Sequence, residues 1–317
     1  MLTRIVAIFL PLVFCSPSLI QAQQEADVSS QINIPLPTLG GAQLWTDYRN
    51  REGFRVQQHA ATGHWRLLNN KDVRIAWGTK KQCLAELENV KPKAKLKAND
   101  HVVVLLHGLM RTGRSMKPFD DALQNAEFKN TVRFSYASSR RSIDNHAQAL
   151  QELIEDWPGS SRLSFVGHSM GNIVVRRMLG ELGSADPQGI LLRSESMVML
   201  GPPNQGAAIA RRLAPTGLYG LIAGKGGMQL GKEWQDFERK LATPKFPFMI
   251  FAGDVSDNKL QNPLIDSGND YLVTVEEAKL KGAAQFEVVP VMHTLLMNDG
   301  NVHKKSLEFM KNANSPK

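Results

Sequence analysis

Gly167-His168-Ser169-Met170-Gly171 is a G-x-S-x-G pentapeptide that lies between an apolar run and an amphipathic segment. Residues 163–166 before it predict a buried strand, and residues 172–179 after it predict a helix. A serine on such a sharp strand-to-helix turn has an exposed hydroxyl, and the flanking glycines lack the Cβ atoms that would clash there. The context therefore predicts a nucleophile elbow with Ser169 at its apex, which the pentapeptide alone would not.

On both sides of this turn the chain alternates between predicted strands and predicted helices. Residues 102–106 form an uninterrupted apolar run rich in valine, as expected of a strand buried on both faces. We predict further strands at 131–134, 197–200, 248–251 and 286–290, and helices at 115–128, 143–157 and 302–311. Strands that alternate with helices predict an α/β fold with a mostly parallel, doubly wound sheet.

The N-terminus has the pattern of a secretory signal. Arg4 precedes the apolar run 5–14, and Ala22 supplies a small residue for cleavage, so we predict a signal peptide over residues 1–22. The run is too short to span a bilayer comfortably. Cys15 would allow lipid anchoring, but the bulky Phe14 before it disfavours that processing. We therefore expect a secreted or periplasmic protein.

Residues 23–98 differ in pattern from the rest of the chain. Short alternating runs broken by glycine and asparagine predict hairpin strands at 54–57, 64–68 and 73–77. A lysine-rich stretch then precedes the alternating pattern. We predict an N-terminal extension and linker over 23–98 and a main domain over 99–317.

The net charge of +8 and the lysines at positions 91, 93, 95 and 97 raise the question of an anionic partner. Peripheral contact with anionic envelope surfaces is one interpretation, and a solvated linker is the simpler one. Aromatic residues are absent from this stretch and no nucleic-acid module is recognisable, so we expect no nucleic-acid partner. After cleavage Cys83 would be the only thiol, which excludes an intrachain disulfide.

Acyl transfer by Ser169 needs a base, a carboxylate that orients the base, and donors for the oxyanion. Of the eight histidines, His293 follows the last predicted strand and so lies at the same sheet edge as Ser169, with His303 in the final helix as the alternative. Of the others, His107 and His168 are expected to shape turns, and His101 and His146 to have a solvated or capping role. His59 and His64 lie in the N-terminal extension. Asp254 and Asp257, which follow the strand 248–251, are candidate orienters.

Three motifs together resemble the lipase and esterase branch of the α/β-hydrolase family. They are Leu105-Leu106-His107-Gly108-Leu109, Gly167-His168-Ser169-Met170-Gly171 and His293-Thr294, and the resemblance covers roughly residues 100–315. It implies that the backbone N–H groups of Leu109 and Met170 form an oxyanion hole. The supporting motif residues are His107, Gly108, Gly167, His168 and Gly171.

The same resemblance extends to the segment 268–278. It is similar to the family's Asn-Asp-Gly-x-Val stretch, which implies that Asp270 is the acid of the triad, ahead of Asp257 and Asp254. Tyr271 stands where glycine is usual in that stretch. A long connection over residues 207–246, with glycines at 224, 226 and 227, is either a short cap over an acyl-binding groove or a pair of packing helices.

We therefore expect a secreted serine carboxylester hydrolase that acts through an acyl-enzyme on a small-molecule or lipid ester. The sequence calls for no metal and no organic cofactor. An acyltransferase, thioesterase or amidase would use the same site, and a non-catalytic envelope binding protein on this fold is the alternative from another class. A modest cap favours short to medium acyl groups.

Overall fold

The computed structural model describes residues 36–38, 43–90, 96–183, 185–213, 218–256 and 267–313. Its central sheet has six strands, all paired in parallel, in the order β11-β10-β9-β8-β6-β7. Their bounds are β6 His101–Leu106, β7 Asn130–Phe134, β8 Arg162–His168, β9 Ser194–Leu200, β10 Phe248–Gly253 and β11 Gln285–Val289. The predicted α/β class and parallel doubly wound sheet are confirmed.

Helices cover both faces of this sheet. On one face lie α3 (Ile143–Glu155) and α4 (Met170–Leu182), and on the other α2 (Lys117–Asn125) and α9 (Gly300–Ala313). Alternate residues of β6 enter the two cores, since Val104 packs with the first pair of helices and Val103 with the second. This is why the run at 102–106 is apolar at every position.

The N-terminal extension folds as an antiparallel sheet of its own, in the order β1-β5-β4-β3-β2. Its strands are β1 Leu36–Pro37, β2 Trp45–Arg51, β3 Phe54–His59, β4 Trp65–Leu68 and β5 Val73–Gly78. Helix α1 (Lys80–Val90), which the hairpin pattern did not predict, covers one face and buries Cys83 and Leu87. Burial raises the pKa of the Cys83 thiol to about 12, as expected of a packing residue and not of a nucleophile.

Strand β2 joins the extension to the main sheet. Arg49 pairs with Glu152 of α3 at 2.9 Å, and Arg51 pairs with Asp156 at 2.8 Å. The backbone N–H of Asp47 donates to the carbonyl of Ser135, just after β7, at 2.9 Å. These contacts place the extension against the segment that leads from β7 to α3.

The segment 207–246 holds helices α5 (Ala208–Leu213), α6 (Leu218–Leu230) and α7 (Trp234–Glu238). Helix α6 is broken at Gly224, which has φ +62° and lies so close to the carbonyl of Ser139 that a Cβ would overlap it. The side chains of Leu230, Trp234 and Phe237 are buried in the main core. The C-terminal part of the segment therefore packs on the domain, while a mobile cap over 207–246 stays a prediction.

The described residues also form the short helix α8 (Val275–Ala278) and 3₁₀ helices at Gly113–Met116 and His293–Asn298. Within the described ranges, no helix is long and apolar enough to cross a membrane. The predicted signal peptide at 1–22 and the lysines at 91, 93 and 95 lie outside the described residues. Secretion, the boundaries at 22 and 98 and the envelope contact therefore stay predictions.

Candidate active site

Ser169 occupies a sharp turn between β8 and α4. Its backbone φ of 54° and ψ of −124° lie outside the regions that non-glycine residues normally adopt, and its side chain is half-buried. Its backbone N–H donates to the carbonyl of Leu200, the last residue of the neighbouring strand β9, at 2.8 Å. Such strain costs on the order of 1–3 kcal/mol and is typical of functional turns.

The glycines on either side of Ser169 are required by close approach. A Cβ on Gly167 would lie 2.2 Å from Oδ1 of Asn172, and one on Gly171 would lie 2.7 Å from the carbonyl oxygen of Leu106. The second contact lets the start of α4 lie directly against the end of β6. The elbow predicted from the pentapeptide and its flanks is therefore present in the fold.

His293 and Asp270 form a buried, hydrogen-bonded pair. Nδ1 of His293 lies 2.6 Å from Oδ2 of Asp270, and the His293 backbone N–H donates to the Asp270 carbonyl at 2.9 Å. The other carboxylate oxygen accepts the N–H groups of Leu272 and Val273 at 3.0 and 2.8 Å. An acceptor at Nδ1 places the imidazole proton there, so Nε2 is left as the basic nitrogen.

The pair lies at the sheet edge that carries Ser169. A Cβ on Gly201, which directly follows β9, would be 2.9 Å from Nδ1 of His293 and 3.1 Å from Oδ2 of Asp270. His168 links the two sides, because its Nε2 lies 2.9 Å from the His293 carbonyl oxygen and the two rings are 4.8 Å apart. No hydrogen bond joins Ser169 Oγ to His293 among the described residues. Such bonds are often long without substrate and tighten when it binds.

The two backbone N–H groups expected to form an oxyanion hole belong to the loop after β6 and to the first residue of α4. Leu109 follows Gly108, which lies close to the nucleophile. A Cβ added to Gly108 would be only 3.0 Å from Cβ of Ser169. Neither Leu109 nor Met170 is among the backbone donors to carbonyl groups in the described ranges. A free N–H at the start of a helix is also where partial positive charge collects.

His107 and His168 shape this centre as neutral, buried rings. Nδ1 of His107 lies 2.9 Å from the Gly108 carbonyl, and its Nε2 accepts the Tyr136 N–H at 3.3 Å. Burial lowers the pKa of His107 to about 4, against the opposing effect of these hydrogen bonds. Burial likewise holds the pKa of His168 well below its usual value, and nearby His293 adds to the effect. The expectation that both shape turns agrees with these contacts.

The remaining candidates lie elsewhere. Nε2 of His303 pairs with the carbonyl of Met297 at 2.9 Å, and its ring packs on Phe119. Asp254 accepts the backbone N–H of Ser256 at 3.0 Å and is not hydrogen-bonded to His293. Asp257 lies outside the described residues. The expectation that His146 is solvated or caps a helix was wrong. The His146 ring packs on Tyr136 and is completely buried between α3 and the core.

The fold agrees with known structures. Phospholipase PlaB from Legionella pneumophila superposes with a TM-score of 0.52 at 16% identity, over 69% of this chain and 60% of that one. A metagenomic carboxyl esterase gives 0.51 at 14% identity, over 70% and 77%. The chain has the α/β-hydrolase fold. The superposition on the mature lipase BlEst2 from Bacillus licheniformis covers 94% of that protein and 70% of this chain, at 17% identity and a TM-score of 0.47.

Within this hydrolase fold, residues 96–199 match a family model described as "Putative serine esterase (DUF676)". The matched region holds β6 to β9, and so includes the loop after His107 and the elbow, but ends before Asp270 and His293. No curated protein matches the chain. The comparisons thus support an esterase-like or lipase-like hydrolase, and the roles of single residues come from the geometry.

Sequence reasoning missed one group of residues near the hydrolase centre. Gln43, Thr46 and Asp47, all from the N-terminal extension, hydrogen-bond to the two loops that follow β6 and β7. No local pattern marks such residues, because their partners are distant in the chain. In the described part of the chain, no cluster of three or more His, Cys, Asp or Glu side chains could hold a metal ion.

His146 gives a testable acid effect on the stability of this protein. Burial, His107 and Arg141 lower its pKa to about 3. In the unfolded chain it titrates near its ordinary value of about 6.5, so below that pH the unfolded state binds more protons. The contribution to the free energy of unfolding is complete above about pH 6.5 and is lost as the pH falls toward 3, by about 2 kcal/mol between pH 7 and pH 5.

We expect His146→Phe to remove this loss, because a phenyl ring beside Tyr136 does not titrate. In urea denaturation, the variant should lose about 2 kcal/mol less than the wild type between pH 7 and pH 5. The exposed His64 provides the control, and His64→Phe should follow the wild type. Equal losses in wild type and His146→Phe would contradict the prediction.

Proposed function

We propose that this chain is a serine carboxylester hydrolase in which Ser169 is the nucleophile, His293 the general base and Asp270 the residue that orients the base. The observation that carries the proposal is the buried His293–Asp270 pair, with 2.6 Å between Nδ1 and Oδ2, at the sheet edge where Ser169 is held on a strained turn. A histidine base, its carboxylate and a serine nucleophile at one edge of the sheet are what acyl transfer needs.

The reaction follows from these positions. Ser169 Oγ attacks the ester carbonyl carbon while its proton passes to Nε2 of His293, and the carbonyl oxygen becomes an oxyanion. Asp270 stabilises the imidazolium without taking the proton. His293 then protonates the alcohol leaving group, and the acyl-enzyme remains. Water, deprotonated by the same nitrogen, attacks the acyl carbon. The bond to Ser169 Oγ then breaks as His293 returns the proton to Oγ, and the carboxylic acid is released.

The N–H groups of Leu109 and Met170 supply the oxyanion donors in this proposal. Backbone donors are fixed in direction before substrate binds, so they stabilise the developing charge without reorganising. Gly108 supports this role, because the absence of a Cβ leaves the backbone of the loop close to Ser169. The substrate class that fits is a small-molecule or lipid ester, in line with the esterase family model.

The experiment that tests the proposal is covalent labelling of the folded wild-type protein with a fluorophosphonate. We expect one equivalent of phosphonate adduct on the peptide that contains Ser169, found by intact mass and peptide mapping. Heat-unfolded protein should remain unlabelled, because the activating groups are then dispersed. Absence of labelling would overturn the proposal and would favour a non-catalytic binding protein on this fold.

The acyl-chain preference is a separate prediction. We expect kcat/KM to be highest for nitrophenyl esters of short to medium acyl chains, because the candidate cap over 207–246 is short and Leu230, Trp234 and Phe237 at its C-terminal end are buried in the main core. A chain-length series under non-aggregating conditions measures this. Faster hydrolysis of long-chain emulsions than of short esters would contradict it.

A further inference from the structure

The side chain of Gln43 connects the N-terminal extension to the oxyanion loop of the proposed esterase. Its Nε2 donates to the carbonyl of Arg111, and its Oε1 accepts the hydroxyls of Ser138 and Ser139 at 3.0 and 3.1 Å. The oxygen of Ser138 in turn accepts the backbone N–H of Met110 at 3.0 Å. Gln43 therefore reaches both residues that follow Leu109 in the chain.

The residues at both ends of this connection have strained backbone conformations. Gln43 has φ 58° and Met110 has φ 58°, and neither is a glycine. Such a conformation is unfavourable for a residue with a side chain and persists only where surrounding contacts enforce it. The hydrogen bonds through Ser138 are the contacts that join the two strained residues.

The strand that follows Gln43 anchors it to the main domain. In β2, Oγ1 of Thr46 accepts the Ala137 N–H at 3.1 Å, and Oδ2 of Asp47 accepts the Ser135 N–H at 2.9 Å. Thr46 and Asp47 are buried, and Asp47 also receives a hydrogen bond from Gln57 at 2.6 Å. The extension thus pairs with the loop after β7 before Gln43 crosses to the loop after β6.

We propose that Gln43 is a positioning residue, through which the N-terminal sheet fixes the peptide groups after Leu109 and so aims the Leu109 N–H at the oxyanion. This inference rests on the proposed function. It gives a role in catalysis to the extension, which lies outside the region 96–199 that matches the family model. Two fixed peptide groups directly after Leu109 limit rotation about its own backbone, and a misplacement of about 1 Å costs a catalytic group on the order of 10²-fold.

The test uses Gln43→Met, which keeps the length of the side chain and removes all its hydrogen bonds. We expect kcat for a nitrophenyl ester to fall about 10- to 100-fold, with KM changed less than about 3-fold, because the contact acts on the transition state. Hydrogen exchange of the amides at 109–111 should become faster in parallel. Gln58→Met is the matched control, since Gln58 is also half-buried in the extension but bonds only within it, to Gly63 and Tyr48.

Ser138→Ala breaks the same connection from the other side and serves if Gln43→Met does not fold. The double variant should lose less kcat than the product of the two single losses, since the two side chains share one hydrogen-bond network. Wild-type kcat, or wild-type exchange at 109–111, in Gln43→Met would overturn the proposal, as would strictly multiplicative losses. A wild type that hydrolyses no ester would instead overturn the proposed function, and the exchange measurement would still decide whether Gln43 holds the loop.

Discussion

Ser169→Ala is expected to lower kcat for ester hydrolysis by about 10⁵-fold and to abolish fluorophosphonate labelling. Without Oγ no acyl-enzyme forms, and the oxyanion donors and substrate binding alone leave about 10³- to 10⁴-fold acceleration over water. Alanine keeps the Cβ and places no new atom in the turn, so the fold of the elbow should be unchanged. Steady-state kinetics and circular dichroism measure the two effects.

Ser164→Ala is the matched control for this variant. Ser164 lies on the same strand, β8, and its buried hydroxyl pairs with Ser196 at 2.7 Å and with His101 at 2.9 Å. Removing it should cost about 1 kcal/mol of stability and leave kcat within about 3-fold of wild type. Retention of activity in Ser169→Ala would assign the nucleophile to another residue.

Asp270→Asn is expected to lower kcat by about 10⁴-fold. The asparagine amide would donate to Nδ1 of His293 and so would move the imidazole proton to Nε2, where it blocks proton transfer from Ser169. The side-chain oxygen that accepts the N–H groups of Leu272 and Val273 is retained, so the loop should keep its conformation. The measurement is kcat and KM with one ester, together with the urea midpoint.

Asp254→Asn provides the comparison, because that carboxylate bonds to Ser256 and not to His293. We expect its kcat to stay within about 3-fold of wild type. If Asp254→Asn lowered kcat as much as Asp270→Asn, or if only Asp257→Asn lowered it, the role of orienting His293 would have to be assigned to Asp254 or Asp257 instead. The set of three variants therefore decides among all the acids that the sequence left open.

The elbow and the sheet were predictable because they depend on neighbours in the chain. The apolar run at 102–106 and the glycines around Ser169 specify strand and turn through periodicity and backbone sterics. The position of His293 was predictable for the same reason, since chain order places it after the last strand. Helix α1 was missed because its pattern is weakly amphipathic and follows a series of short strands.

By itself the sequence determined the parallel sheet, the turn that carries Ser169 and the edge on which His293 lies, because strand and helix periods are local properties. Tertiary structure alone decided that Asp270, and not Asp254, pairs with His293, that His146 is buried, and that Gln43 hydrogen-bonds to the loop after Leu109. The contacts from Gln43 span 68 residues to Arg111 and 95 to Ser138, and side-chain pairings over such separations depend on how sheets and helices pack, which no local pattern encodes.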